Sequence, residues 1–368
     1  MSYLLRISKN FNSSDLTSAE LSYYAKQILL PGIGIEGQRK LKVARVLVIG
    51  AGGLGCPVLQ SLAGAGVGHL SIVDGDDISI SISNLSRQWL HRYEDKDKNK
   101  AISAAKRLFE INTFIKLEAH PMMLDHTNAR KLIKSHDLVI DATDGLDVRY
   151  LIDDICSDLN CPWIHAALYK DKAQLTVFWD TYGASFKKLY PEPSLVPSCS
   201  ETGILGAYAS LIGNMQAVEA IKIITGKSMP KVGELISFDL EKNKQDIFYN
   251  PNTKKPRLYS DNYEFYRDYS VSIKTLQKST TSGEYFKILD IREKKKFDKK
   301  CIVNAIYYPA EKILEEGLDH ISSDKILLVC EEGLISAMLA NAMNQQSKNV
   351  YYLEGGMLAW TDKLVLNC

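Results

Sequence analysis

The chain has 368 residues, 45% of them hydrophobic, with 45 basic against 44 acidic side chains and a formal net charge of +1. That length suits two domains, and the apolar content is enough to bury full cores, which excludes a disordered chain. The charge balance argues against a general nucleic-acid or membrane-surface binder. No apolar run reaches the ~20 residues that span a bilayer, and the N-terminal MSYLLRISKNFNSSD has no secretory core, so a cytoplasmic protein is expected, with no membrane partner.

In chain order, residues 16–30 have helical spacing and stop at Pro31-Gly32, a breaker pair. Arg45–Ile49 reads as a buried strand, 52–66 as a helix of small residues, and 69–74 as a second strand. A helix over 100–110, a strand over 116–120 and a strand over 137–142 (DLVIDA) follow. Further strands are expected at 174–179 and 235–239, and a core helix at 206–224. Strand alternating with helix implies an α/β fold with a doubly wound, mainly parallel nucleotide-binding sheet. Composition shifts near Tyr249, where YNPNTKKPRLYSDNYEFY is turn-rich and polar. A second, smaller α/β pattern then begins, with strands at 288–291, 326–329 and 350–353. The expected division is 1–252, a linker at 253–269, and 270–368.

The first strand runs into Gly50-Ala-Gly52-Gly53-Leu-Gly55. Such a turn brings backbone amides to a phosphate at a helix N-terminus. Asp74 ends the second strand, where a carboxylate holds ribose hydroxyls. Alone, these features favour a nicotinamide or flavin enzyme. The residues downstream do not: Asn84, Arg87 and Gln88 form a polar cluster, Lys100 starts a helix, and Asp144 closes DATD (141–144) at a strand's C-terminal edge. Arginine, lysine and an acid able to hold Mg²⁺ suit a triphosphate under attack.

GAGGLG, Asp74-x-Asp76, NLSRQ, Lys100, DATD and QLTVF (174–178), in that order, resemble the ubiquitin-activating-enzyme-like adenylyltransferases, the ThiF/MoeB/HesA family. The likeness runs from about Leu21 to Tyr249 and is nearest to the bacterial proteins that activate ubiquitin-like sulfur carriers for molybdopterin and thiazole synthesis. It implies that a carrier's C-terminal glycine carboxylate attacks the α-phosphate of ATP, giving an acyl-adenylate and pyrophosphate. By the same likeness, Gly50, Gly52, Gly53, Gly55, Asp74 and Asp76 would serve nucleotide binding, and Asn84, Arg87, Gln88 and Lys100 would contact phosphates. Asp144 would hold Mg²⁺. Family members are homodimers in which a basic residue from the partner's N-terminal helix reaches ATP; the matching position is Lys26, which keeps the charge without arginine's fork.

There are departures from the family pattern. The chain is two residues longer between Asp74 and Asn84, within ISISIS (78–83), and Gly145 stands where the family has Asn. The family's zinc-binding cysteine pairs correspond to Ser185, Lys188, Thr253 and Pro256, which build no thiolate site, so no zinc is expected. The seven cysteines include no Cys-x-x-Cys and are expected as thiols rather than disulfides, with Cys56 and Cys161 buried and Cys368 at an exposed terminus. Cys199, in PSCSETG, matches a family cysteine on a loop over the adenylate, where it can attack the activated carrier or join a persulfide relay.

Residues 270–368 resemble a rhodanese-like domain: ILDIRE (288–293), Cys330-Glu-Glu-Gly-Leu-Ile-Ser336, and Leu353-Glu-Gly-Gly356 with Ala359-Trp360. The resemblance implies that Cys330 carries a persulfide, cradled by backbone amides. Cys301 replaces the histidine of a family turn. Glu331 stands where the family has arginine; two adjacent carboxylates disfavour a thiolate and repel anionic donors, which favours a protein persulfide, such as that of a cysteine desulfurase, as sulfur source. The leading expectation is an enzyme that adenylates a small carrier ending in Gly-Gly and then delivers sulfur to form a thiocarboxylate. Adenylation of another peptide carboxylate without sulfur transfer, and non-catalytic ATP-dependent docking, remain as alternatives.

Overall fold

In the computed structural model, the described residues are 16–30, 32–75, 80–191, 203–226, 230–249, 253, 269–276, 286–318, 320–321, 323, 325–344, 349–360 and 365–366. They form two compact units, one within 40–260 and the other within 261–368 together with 13–39. Among the described residues, two helices precede the first strand: α1 (Ser18–Ile28) and α2 (Gly34–Val43). The first is set by Thr17, whose hydroxyl accepts from the Glu20 amide while the Glu20 carboxylate accepts from the Thr17 amide. That reciprocal cap satisfies donors a helix start leaves open.

The larger unit is built on β1 (Arg45–Ile49), α3 (Gly55–Ala65), β2 (His69–Val73), α4 (Lys100–Ile111), β3 (Lys116–His120), α5 (Ala129–Lys134), β4 (Leu138–Asp141), α6 (Leu146–Leu159), β5 (Trp163–Tyr169), β6 (Lys172–Phe178), α7 (Phe186–Leu189), α8 (Gly206–Thr225), β7 (Glu234–Asp239) and β8 (Lys244–Tyr249). The strands form one eight-stranded sheet in the order β3-β2-β1-β4-β5-β6-β7-β8. Pairing is parallel from β3 to β5 and antiparallel from β5 to β8. β1, β2 and β4 are buried almost throughout, as strands covered on both faces must be. The order reverses at β1, between β2 and β4, and a doubly wound sheet opens a crevice at that point.

The expected α/β fold is present, with the early strands where their apolar runs end. The sequence did not signal β5 or β8. Trp-Ile-His-Ala-Ala-Leu-Tyr lacks strand alternation because β5 is central and mostly buried, and Lys-Gln-Asp-Ile-Phe-Tyr lies on the sheet's exposed edge.

The smaller unit holds β9 (Ser270–Val271), β10 (Lys287–Asp290), α9 (Lys294–Lys299), β11 (Cys301–Ile302), β12 (Ile306–Tyr307), α10 (Ala310–Glu316), β13 (Ile326–Val329), α11 (Leu334–Asn344), β14 (Val350–Leu353), α12 (Gly356–Ala359) and β15 (Val365–Leu366). A five-stranded parallel sheet runs β12-β10-β13-β14-β9. Its core also takes in Leu16, Leu21, Tyr24 and Ile28, which pack with Leu289, Ile313, Met338 and Leu339. The amide of Ser18 donates to the Glu311 carboxylate at 3.0 Å. The helix carrying Lys26 thus belongs to the second core, because its apolar stripe is buried there.

Candidate active site

The glycine turn between β1 and α3 is fixed by close packing. Gly50 has φ +97° and donates its amide to the Val73 carbonyl; a Cβ there would lie 2.6 Å from the Ala142 oxygen. A Cβ at Gly55 would lie 2.0 Å from the Gly50 oxygen. Gly52 is different: a Cβ there would meet only the Gln88 amide, at 3.6 Å, so its backbone faces open space. The turn therefore leaves a concavity at the start of α3, where helix amides and dipole favour an anion.

A cleft of about 660 Å³ opens over this turn. Gly50, Gly52, Gly53, Asp74, Asn84, Arg87, Gln88, Lys100 and Asp144 all line it. Asp74 accepts the Ala51 amide at 2.7 Å, which ties the turn to the end of β2. Asn84 sits on a short 3₁₀ turn, its side-chain oxygen accepting from the Ser81 amide, and faces the cleft despite the longer preceding segment. Arg87 donates to the Ser83 carbonyl at 3.1 Å. Gln88 is buried, and among the described residues its Oε1 has no hydrogen-bond partner. That buried acceptor calls for a donor on a ligand, such as a hydroxyl, while Arg87, Lys100, Arg149 and Lys172 give the cleft the positive charge an anion needs. Asp144 is exposed at the rim, and among the described residues its carboxylate makes no hydrogen bond or ion pair. Gly55 lies under the turn, locked against Gly50. Asp76 and Cys199 lie outside the described residues. Lys26 lies on α1, in the other unit.

Sequence reasoning missed the group that organises the cleft floor. Asp141 is fully buried at the end of β4, and accepts from the Thr143 amide (3.0 Å), the Thr143 hydroxyl (2.7 Å), Arg149 Nε (3.0 Å) and His165 Nδ1 (3.1 Å). Burial alone would raise its carboxyl pKa, but the Arg149 charge and the His165 and Thr143 hydrogen bonds hold it below the ordinary value. Arg149 and His165 line the cleft beyond Asp144, with Tyr150, Ala167, Gln174, Tyr190 and Ser237. Tyr150 donates to the Tyr190 carbonyl and Tyr190 to Gln174 Oε1, each at 2.8 Å. The one available signal was an arginine early in the helix after DATD; His165 carries none, being a polar residue in an apolar strand.

Two of the positions matched to family zinc ligands are occupied by a hydrogen-bond cluster. Ser185 donates to Asp153 at 2.7 Å, the Phe186 and Lys187 amides donate to the same carboxylate, and Lys188 pairs with Asp180 at 2.8 Å. Thr253 lies against Gly233, and Pro256 is outside the described residues. No cluster of three or more His, Cys, Asp or Glu side chains capable of holding a metal occurs among the described residues.

In the smaller unit, Cys330 follows β13 and enters the loop before α11. Its sulfur lies 3.2 Å from the Ser336 hydroxyl and accepts the Ser336 amide at 3.4 Å. Gly355-Gly356 closes over the loop: the Met357 amide donates to the Cys330 carbonyl and the Leu358 amide to that of Glu331, both at 2.9 Å. A Cβ at Gly356 would fall 2.5 Å from the Cys330 oxygen. Glu331 is not the bare charge its sequence position suggested. Lys296 Nζ lies 3.2 Å from its Oε2 and Arg292 Nη1 3.7 Å away, and Arg292 is itself clasped by Asp290. The family's single loop arginine is thus replaced by an acid paired with cations from β10's end and α9.

Cys56, Cys156, Cys161 and Cys330 are free and buried; burial pushes the Cys56 thiol up to about 12. Cys301, in contrast, is disulfide-bonded, which corrects the expectation of thiols throughout. Among the described residues no helix is long and apolar enough to cross a membrane.

Residues 24–259 match the model of the ThiF family, and residues 272–363 that of the rhodanese-like domain. The probable adenylyltransferase/sulfurtransferase MoeZ of Mycobacterium tuberculosis is 33% identical over 96% of this chain and 95% of its own. The adenylyltransferase and sulfurtransferase MOCS3 of Drosophila sechellia is also 33% identical, over 95% of this chain and 84% of its own. The sulfur carrier protein adenylyltransferase of Thermus thermophilus is 39% identical over 65% of this chain and 91% of its own. Among solved structures, Escherichia coli MccB crystallised with ATP has a TM-score of 0.52 at 22% identity, over 61% of this chain and 68% of that one, a likeness of fold. With its glycine-turn cleft, its Cys330 loop and relatives that span nearly its whole length, the chain belongs to the ThiF family and carries a C-terminal rhodanese-like domain.

Proposed function

We propose that the protein adenylates the C-terminal glycine of a ubiquitin-like sulfur carrier and then converts it to a thiocarboxylate, as the activities named for its full-length relatives suggest. The observation that carries this reading is the single cleft in which the glycine turn, Arg87, Gln88, Lys100 and Asp144 converge, and whose lining also takes in Ala167 and Ser237. The glycine turn and its cations suit a nucleotide, and the cleft's volume leaves room for an extended peptide tail. Arg87 and Lys100 would stabilise charge as the carboxylate attacks the α-phosphate and pyrophosphate leaves. Asp144, exposed and without a partner among the described residues, would hold Mg²⁺, which supplies charge neutralisation at the phosphates. Residues 1–252 are assigned to adenylation, 253–269 to a linker and 270–368 to sulfur transfer. A homodimer, with Lys26 of the partner subunit reaching the nucleotide, completes the reading.

For sulfur transfer, the terminal sulfur of a Cys330 persulfide attacks the acyl-adenylate carbonyl and AMP leaves. A second thiol then cleaves the acyl disulfide, releasing the thiocarboxylate and leaving a disulfide; Cys199 is the candidate thiol. The sulfur donor in this reading is a protein persulfide, such as that on a cysteine desulfurase; an acid at Glu331, even paired with Lys296, offers a small anion less attraction than the arginine of the family pattern. The test is carrier-dependent ATP–pyrophosphate exchange and thiocarboxylate formation by the full chain. Asp144→Ala should abolish exchange, and Cys330→Ala should abolish thiocarboxylate while sparing exchange. Unchanged exchange in the first variant would remove the metal role, and thiocarboxylate surviving in the second would remove the sulfur role.

A further inference from the structure

His165 is 98% buried, with 2% of its surface exposed, yet it lines the cleft. Its ring is wedged among Trp163, Phe178 and Phe186, with centroids 5.5–6.1 Å away. Nδ1 lies 3.1 Å from Asp141 Oδ2. An ionised carboxylate only accepts, so Nδ1 carries the proton of this hydrogen bond. Burial pushes the imidazole pKa below its ordinary value, so the ring is neutral and Nε2 is a bare acceptor. Nδ1 is taken by Asp141 and the residue lines the cleft, so Nε2 is the ring nitrogen left to accept; among the described residues it makes no hydrogen bond.

Its place decides what it meets. His165 pairs in register with Asp141, at the edge that leads through Thr143 to Asp144. On its other side it pairs with Thr176, two residues along β6 from Gln174. Gln174 spends its Oε1 on the Tyr190 hydroxyl, which leaves its amide N–H groups to donate. The floor therefore presents an acceptor at His165 and a donor at Gln174. A peptide group offers the complementary pair, an N–H and a C=O.

We propose that His165, held in one tautomer by Asp141, is a specificity-determining residue that accepts a backbone N–H from the last peptide groups of the carrier's tail, and so sets the depth at which its terminal carboxylate meets the nucleotide. This rests on the adenylation reading above. An orientation fixed by Asp141 lowers the ordering cost of binding, and once the tail covers His165 a substrate lacking that N–H leaves the acceptor unpaired.

The test is ATP–pyrophosphate exchange by the full chain, with a purified sulfur carrier ending in Gly-Gly. His165→Phe keeps an aromatic ring in the cage and removes the acceptor; His165→Gln returns an acceptor near Nε2. In the Phe variant the carrier KM should rise about tenfold, the loss of one hydrogen bond to a desolvated site, with the KM for ATP unchanged. The Gln variant should recover much of that loss. A carrier whose penultimate glycine is replaced by an N-methylated residue should be discriminated against by wild type and not by His165→Phe. An unchanged carrier KM in the Phe variant overturns the assignment, as does an equal rise in both KM values, which marks a general disturbance of the sheet. No exchange by wild type would instead overturn the adenylation reading, and this assignment with it.

Discussion

Asp141 offers the sharpest perturbation of the cleft. Its carboxylate is the common acceptor for the Thr143 amide and hydroxyl, Arg149 Nε and His165 Nδ1. Arg149 is half-satisfied elsewhere, through a 2.9 Å bond to the Thr143 carbonyl, but its side chain is only 13% exposed and Asp141 is its counter-charge. Asp141→Ala leaves a largely buried guanidinium unpaired, a change that costs about 3–5 kcal/mol. Asp141→Asn keeps the shape and one acceptor, and should cost about half as much, in the range of ~1–3 kcal/mol for orphaned buried donors. Urea unfolding of the full chain, with each unit's transition followed separately, measures the difference. The effect should also depend on pH. A carboxyl whose folded pKa lies below its unfolded value stabilises above the unfolded pKa of ~4, and this contribution is lost as pH falls below that value. Wild type should therefore lose stability on acidification more steeply than Asp141→Asn. An Asp141→Ala protein within ~1 kcal/mol of wild type, the range of an exposed ion pair, would refute the reasoning.

Other expectations follow from single contacts. Gly50→Ala forces a Cβ to 2.6 Å from the Ala142 carbonyl at φ +97°, and should destabilise the larger unit by about 1–3 kcal/mol from backbone strain alone, read by thermal unfolding. Leu21→Ala, at a fully buried position of α1, should lower the stability of the rhodanese-like unit by about 2–5 kcal/mol while the other unit's transition stays in place. Glu331→Arg should raise thiosulfate-dependent sulfurtransferase activity about tenfold, ~1.4 kcal/mol of barrier, because it replaces an acid at the loop rim with the cation of the family pattern. A steady-state assay with cyanide as acceptor checks it, and an unchanged rate would show that the Glu331–Lys296 pair already neutralises the rim.

Much of this protein was legible in its residues. Buried parallel strands must be continuous apolar runs, so RVLVI, HLSIV and LVID announce themselves, and a glycine turn after the first of them marks where a phosphate can approach. Arg87, Lys100 and Asp144, grouped from the sequence as one site, do line one cleft. Tertiary structure decided what depends on neighbours distant in sequence. It brought Asp141 under Arg149 and His165, paired Glu331 with Lys296 and Arg292, and put the apolar stripe of α1 into the core of the second unit. Local patterns record which face of an element is buried, whereas the charge a side chain meets and the core its helix joins are set by contacts across the sheet and between remote segments, and these become defined only when the chain has folded.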